Sequence, residues 1–347
     1  MTNKYIVITT IHQKTEAIRR FEQLQDWHMV LVGDRKTPAI DSSANLTFLS
    51  LDRQQKLGYA FVEHCPYNHY ARKNIGYLYA IEQGAEIIYD TDDDNLPYEH
   101  WEVPDFSCPR QYSSNRQFVN IYRYFTDEFI WPRGYPLDEI HGQTESKIQL
   151  LVPKAIGVWQ GLVDQEPDVD AIFRLLFPKT LSFARKPSFF LAAGQYSPFN
   201  SQNTFWQPNA FPFLYLPATT SFRFTDILRS YIAQRLMWQE GLHLGFLSAT
   251  VYQERNPHDL LKDFRDEVEC YLNVKPIVRL LEQLSLEGEP SENVLATYSS
   301  LSRAGFVRAE EVALCRAWLA DLERVKSTIN KSGSLTAVWS QSVRPPT

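Results

Sequence analysis

Residues 70–97 read YARKNIGYLYAIEQGAEIIYDTDDDNLP, and three signals follow one another along them. Ala71, Ile75, Leu78 and Glu82 recur at helical spacing, and Gly84 supplies a stop. EIIYD is then a short apolar strand. Asp90 closes that strand, and Asp92, Asp93 and Asp94 fall in the loop beyond it. A helix that feeds a buried strand belongs to an open α/β sheet, where ligands sit past the carboxyl ends of the strands.

The flanking chain supports this reading. KYIVITTI (4–11) is β-branched and almost continuously apolar, the pattern of a parallel strand buried on both faces. Gln13 to Gln25 suits a helix, with Ala17, Ile18, Phe21 and Leu24 on one side. HMVLVGD (28–34) and LTFLSL (46–51) are further strands. Residues 100–220 are rich in Pro and aromatics with short apolar runs, which predicts loops and mixed strands. From Thr225 on, three stretches show helical periodicity: TDILRSYIAQRLMWQEGLHLGF, DLLKDFRDEVECYLNVKPIVRLLEQLSL and AEEVALCRAWLADLERVKSTI. The expected fold class is α/β, a mostly parallel mixed sheet flanked by helices, with a helical C-terminal part. The expected division is a sheet domain at 1–225, a helical region at 226–330 that completes the site and caps the fold, and a loose tail at 331–347.

Composition narrows the function. The 347 residues carry a net charge of −6 and no long basic run, which argues against a nucleic-acid partner. Four scattered cysteines form no CxxC pair, so neither a thiolate zinc site nor a disulfide framework is expected. Cys65 and Cys108 show no base partner for nucleophilic chemistry. The N-terminal apolar run is too short for a signal-peptide core, and no window approaches a membrane span, so a soluble cytoplasmic protein is expected.

Four carboxylates within five positions, Asp90 to Asp94, repel one another unless a positive group neutralises them. A divalent cation held by Asp92 and Asp94 would do so, and hard oxygen ligands point to Mn or Mg. The competing reading is a set of solvated loop aspartates. Arg72 and Lys73 open the preceding helix, where two cations and a helix N-terminus suit a diphosphate.

The segment HYARKNIGYLYAIEQGAEIIYDTDDDN resembles the donor-binding segment of nucleotide-sugar glycosyltransferases of the GT-A fold, with Asp92-Asp93-Asp94 matching their Asp-X-Asp pattern. The chain more closely resembles the STELLO family of glycosyltransferase-like proteins. More distantly it is similar to the UDP-arabinopyranose mutases, or reversibly glycosylated polypeptides. WQGLVDQEPDVDAIFRL, FNSQNTFWQPNAFPFLYLP, TSFRFTDILRSYIAQRLMW and VYQERNPHDLLKDF extend the likeness over residues 4–275.

The resemblance implies a nucleoside-diphosphate sugar donor, a UDP-sugar foremost, and a glycan or other hydroxyl acceptor. Thr9, Thr10, Gly33 and Asp34 would meet base and ribose, and Asp93 the sugar. Trp159 and Asp164, in a stretch read as a loop, would lie near the donor sugar, as would Asp168 and Asp170. The latter two equally suit helix capping. Asp226 would be the base that takes a proton from the acceptor hydroxyl, or else a first-turn acid suited to the helix dipole. His258 would complete the metal site. The aromatic loops at 199–215 would form an acceptor platform. Two other readings stay open: a nucleotide-sugar mutase that needs no acceptor, and a non-catalytic scaffold. The helical part offers a surface for homo-oligomers.

Overall fold

The computed structural model describes residues 3–142, 145–254 and 259–331. Strands β1 (Lys4–Thr9), β2 (His28–Val32), β3 (Leu46–Leu49) and β4 (Ile87–Thr91) lie side by side in parallel, in the order β3-β2-β1-β4. The interiors of these strands are buried, which is why their sequences are apolar without alternation. The sheet continues as a mixed sheet through β5 (Asn95–Pro97), β6 (Ser107–Ser114), β7 (Ser146–Asp164), β8 (Phe189–Leu191), β9 (Asn203–Trp206) and β10 (His243–Gln253). Strand β9 runs antiparallel to both β4 and β7 and joins the two halves. The architecture is the GT-A-like α/β arrangement expected.

Helices cover the faces. They are α1 (Glu16–Glu22), α2 (Leu51–Lys56), α3 (Ala60–His64), α4 (Lys73–Glu82), α5 (Tyr122–Phe125), α6 (Ala171–Leu176), α7 (Thr225–Met237), α8 (Leu260–Gln283), α9 (Pro290–Arg303) and α10 (Glu310–Lys331). Thr15, Ser50, Asp170 and Asp259 cap α1, α2, α6 and α8 by accepting from backbone N–H groups of the first turn. Helix α4 is buried nearly all round, between β1 and β2 on one side and α10 on the other. Gly76 permits that approach: a Cβ there would stand 2.6 Å from Val7 Cγ1 and 2.7 Å from Val32 Cγ2. Among the described residues no helix is long and apolar enough to cross a membrane.

Three local expectations are corrected. The helical periodicity from Thr225 does not run on to Phe246: α7 ends at Met237, Gly241 turns the chain at φ 67°, and β10 enters the sheet beside β7 and β8. Leu244, Phe246, Ala249 and Val251 are buried there, so tertiary packing overrides a helical-looking segment. The stretch from Trp159 to Asp164 is no loop but the buried end of β7, a strand of 19 residues. Its first ten residues are all exposed and its last nine all buried, so no single period describes it. The aromatic stretch 199–215 forms core rather than a platform: Phe199, Phe205, Trp206, Phe211, Phe213 and Tyr215 are buried.

Candidate functional site

The carboxyl ends of β1, β2 and β4 open onto one cavity of about 540 Å³. Thr9, Thr10, Gly33, Asp34 and Arg72 line one side, Asp92, Asp93 and Asp94 its floor, and Arg133, Asp168, Asn200, Arg223 and Asp226 the opposite side. Residues far apart in sequence thus meet where strand-end geometry predicts a ligand.

The acidic turn is bolted down from several directions. Thr10 Oγ1 donates to an Asp93 carboxylate oxygen, and Thr15 Oγ1 donates to the Asp93 carbonyl at 2.5 Å. Tyr70 donates to Asp92 Oδ1 at 2.7 Å. The pairing of Asn95 with Gln253 fixes the far end of the turn. Gln253 Nε2 donates to Asp94 Oδ2 at 2.7 Å, and Gln202 Nε2 donates to Gln253 Oε1 at 2.7 Å.

The internal cations are spent unevenly on this cluster. The buried Lys73 ammonium lies 2.7 Å from Asp90 and 3.2 Å from Asp92, and donates to the Thr91 carbonyl at 2.6 Å. Arg229 holds the other oxygen of Asp90 at 3.0 Å. Asp90 is therefore structural, clamped between two cations. Burial raises the pKa of Asp92, with Lys73 opposing the shift. Burial also raises that of Asp93, with the Thr10 hydrogen bond opposing it. Burial, together with the negative charge of Asp92, pushes Asp94 up to about 7. Among the described residues Asp94 accepts side-chain hydrogen bonds only from amide groups, those of Asn95 and Gln253. A positive charge beside Asp94 would oppose that shift.

Among the described residues no group of three or more His, Cys, Asp or Glu forms a ready metal cage. Two carboxylates completed by substrate phosphate oxygens and water nonetheless suit Mg or Mn, which seldom take an all-protein cage. His258 lies outside the described residues.

Arg133 organises the opposite wall. Its guanidinium donates to Asp168 at 2.7 and 2.8 Å and to Asp226 at 3.0 and 2.9 Å. Asp226 also accepts from the backbone N–H groups of Ile227 (3.0 Å) and Ser201 (3.3 Å), so each of its oxygens takes two hydrogen bonds. Asp168 additionally accepts from Asn200 at 2.8 Å. Burial alone would raise Asp168, but the Arg133 guanidinium outweighs it and holds the carboxyl down at about 2.

Several expected site residues are placed elsewhere or are already occupied. Arg72 reaches the cavity wall but spends its donors on Gln54 and on the Cys65 carbonyl. Lys73 is enclosed beneath the acidic turn. Asp34 lines the cavity and accepts from the N–H groups of Arg35 and His69. The structure does not bring Trp159 and Asp164 to the cavity. Trp159 is buried in β7 and donates to the Asp105 carbonyl at 3.0 Å, while Asp164 accepts from Tyr98, Phe183 and Arg185. Asp170 caps α6 and accepts from Trp131.

The sequence reading did not single out Arg133, Asn200, Gln202, Arg223 or Gln253 as site residues. The run Asn200-Ser201-Gln202-Asn203 was a usable signal: four polar residues buried within an aromatic stretch must be satisfied by one another or by a ligand.

Residues 223–332 match the family model of the STELLO glycosyltransferases. Two Arabidopsis thaliana proteins, "Probable glycosyltransferase STELLO1" and "Probable glycosyltransferase STELLO2", are each 31% identical to this chain. The alignments cover 92% of the chain but only 44% and 45% of those proteins, so the chain spans less than half the length of the curated relatives it matches. Over these spans the chain is similar to the STELLO glycosyltransferases.

Proposed function

We propose that this chain is a metal-dependent glycosyltransferase that moves a sugar from a nucleoside-diphosphate donor, a UDP-sugar, to a hydroxyl acceptor. The observation that carries the reading is the acidic turn. Its three carboxylates face a cavity at the strand ends, and burial together with the charge of Asp92 pushes Asp94 up to about 7. Asp92 and Asp94 would hold Mn or Mg, which supplies charge to the diphosphate and stabilises the leaving nucleotide. Thr9, Thr10, Gly33 and Asp34 would bind the nucleoside, and Asp93, fixed by Thr10, would face the sugar. Arg72 and Lys73 would act from behind: Lys73 sets a positive charge against Asp90 and Asp92, and Arg72 adds positive potential to the wall beside Asp34.

Asp226 would receive the acceptor proton, releasing one of its four hydrogen bonds to do so. That full set of bonds also favours the mutase reading, in which no acceptor hydroxyl is deprotonated. Product analysis with a UDP-sugar alone separates the two readings: ring-form exchange without acceptor identifies a mutase. A panel of nucleotide sugars tested by thermal shift with and without Mn tests the donor class, because stabilisation grows with ligand concentration over Kd. Mn-dependent stabilisation by a UDP-sugar is expected. No shift across the panel overturns the reading.

A further inference from the structure

We propose that Phe222 is the stacking platform for the sugar being transferred, and that this sugar is a pyranose which lays a face of C–H groups on the ring. The inference rests on the nucleotide-sugar reading of the same cavity and adds to it a residue and a sugar class.

Phe222 lines the cavity, and 57% of it is exposed. Among the described residues the other exposed large apolar side chain in that lining is Ile11, which follows Thr10 on the nucleoside side. Single exposed apolar side chains are ordinary on protein surfaces. This one differs in being held still inside a cavity. Before it, the Ser221 N–H donates to Glu269 at 3.0 Å and Ser221 Oγ donates to the Asp266 carbonyl, both on α8. After it, Arg223 pairs with Glu267 of α8 at 2.7 Å, and Arg133 donates to the Arg223 carbonyl. Phe224 is buried in the core. The chain thus spends hydrogen bonds and an ion pair on a turn that holds a bare phenyl ring out in the cavity, where it forgoes the gain of burial until a ligand covers it.

Its neighbours decide which part of a donor it meets. On one side the ring contacts Tyr70 edge-on, with centroids 5.6 Å apart and planes at 76°, and Tyr70 donates to Asp92. On the other, the Arg133 guanidinium that holds the Arg223 carbonyl also holds Asp226. Phe222 is therefore tied both to the acidic turn and to the candidate base. In the proposed reaction the group between a metal-bound diphosphate and that base is the transferred sugar, whereas the nucleoside lies toward Thr9 and Gly33. The face of an aromatic ring is its negative side, and the C–H groups of a sugar carry a slight positive charge. A pyranose stacked there buries apolar area on the ring and leaves its hydroxyls, at the rim, free for Asp93 in the same cavity.

Calorimetric titration in Mn tests this, with UDP and with the pyranosyl donors UDP-glucose, UDP-galactose, UDP-xylose and UDP-N-acetylglucosamine as ligands. In Phe222→Ala, UDP should bind within about twofold of wild type, while the tightest-binding of these donors should lose about tenfold in affinity. Phe222→Trp should keep that affinity. Phe222→Leu, apolar but without a π face, should not. A donor affinity unchanged in Phe222→Ala overturns the proposal. So does an equal loss for UDP, which puts the ring on the nucleotide, and so does wild type that binds UDP but none of the pyranosyl donors. All three outcomes leave a UDP site standing. Failure of wild type to bind UDP in Mn instead defeats the nucleotide reading, and this proposal falls with it.

Discussion

Asp90 and Asp94 lie four positions apart, yet their surroundings are opposite. Asp90 sits between Lys73 and Arg229, whereas among the described residues Asp94 accepts side-chain hydrogen bonds from amides alone. The consequence for stability has a definite sign. The folded Asp94 carboxyl keeps its proton up to about pH 7, while the unfolded one loses it near pH 4. Metal-free protein therefore loses stability as pH rises from about 4 to about 7, and the cost stays constant above that. Asp94→Asn removes this term. Denaturant unfolding in chelator should show the variant gaining on wild type between pH 5 and pH 8, on the order of 1–3 kcal/mol. An equal gap at both pH values means that ionisation of Asp94 is not penalised. Asp226→Ala should instead destabilise by about 3–5 kcal/mol, since it strips one of two carboxylates from the buried Arg133. Asp226→Asn should fold and bind donor while losing transfer; normal turnover in that variant removes Asp226 from the chemistry. Asp92, Asp93 and Asp94 were legible in the sequence because a strand precedes them directly. Arg133 was not, because its meeting with Asp168 and Asp226 depends on three segments that carry no local sign of one another.

Strand ends and helix packing decide how firmly those residues are held. Helix α4 lies against β1 and β2 through Gly76, and a methyl group there would collide with Val7 and Val32. Gly76→Ala should cost about 1–3 kcal/mol in chemical unfolding by forcing helix and sheet apart. An unchanged midpoint means that the helix shifts freely. The last residue of β10, Gln253, is the one that orients Asp94, and Gln202 orients Gln253 in turn. Gln253→Ala should weaken Mn binding, read by electron paramagnetic resonance, by about 10–100-fold with little loss of stability. Undiminished affinity separates Gln253 from the metal site. The strands β1 to β4 and helix α4 were readable because each is short and has one period. The two long strands were not: β7 changes from exposed to buried midway, and β10 follows a helix with only Gly241 to mark the turn.

The whole molecule brings two halves of the chain to one cavity. The parallel strands supply Thr10, Asp34 and the acidic turn; the mixed strands and α7 supply Asn200, Gln202, Gln253 and Asp226. The pairings of β4 with β9 and of β5 with β10 are what join them. A reading along the chain sees each half alone, which is why it names Asp168 and Asp226 on the far wall but not Arg133, Asn200, Gln202, Arg223 and Gln253, which meet them there. The similarity to the STELLO glycosyltransferases agrees with the proposed sugar transfer, while the chain spans less than half of those relatives. Calorimetric titration of a UDP-sugar into wild type and Asp94→Asn, each with Mn and with chelator, is the most direct measurement. Wild type should bind with Mn and lose at least about tenfold in affinity with chelator, and Asp94→Asn should behave as if chelator were always present. Equal binding by both proteins in Mn, or binding by wild type that ignores the metal, would contradict a metal-bridged donor at the acidic turn.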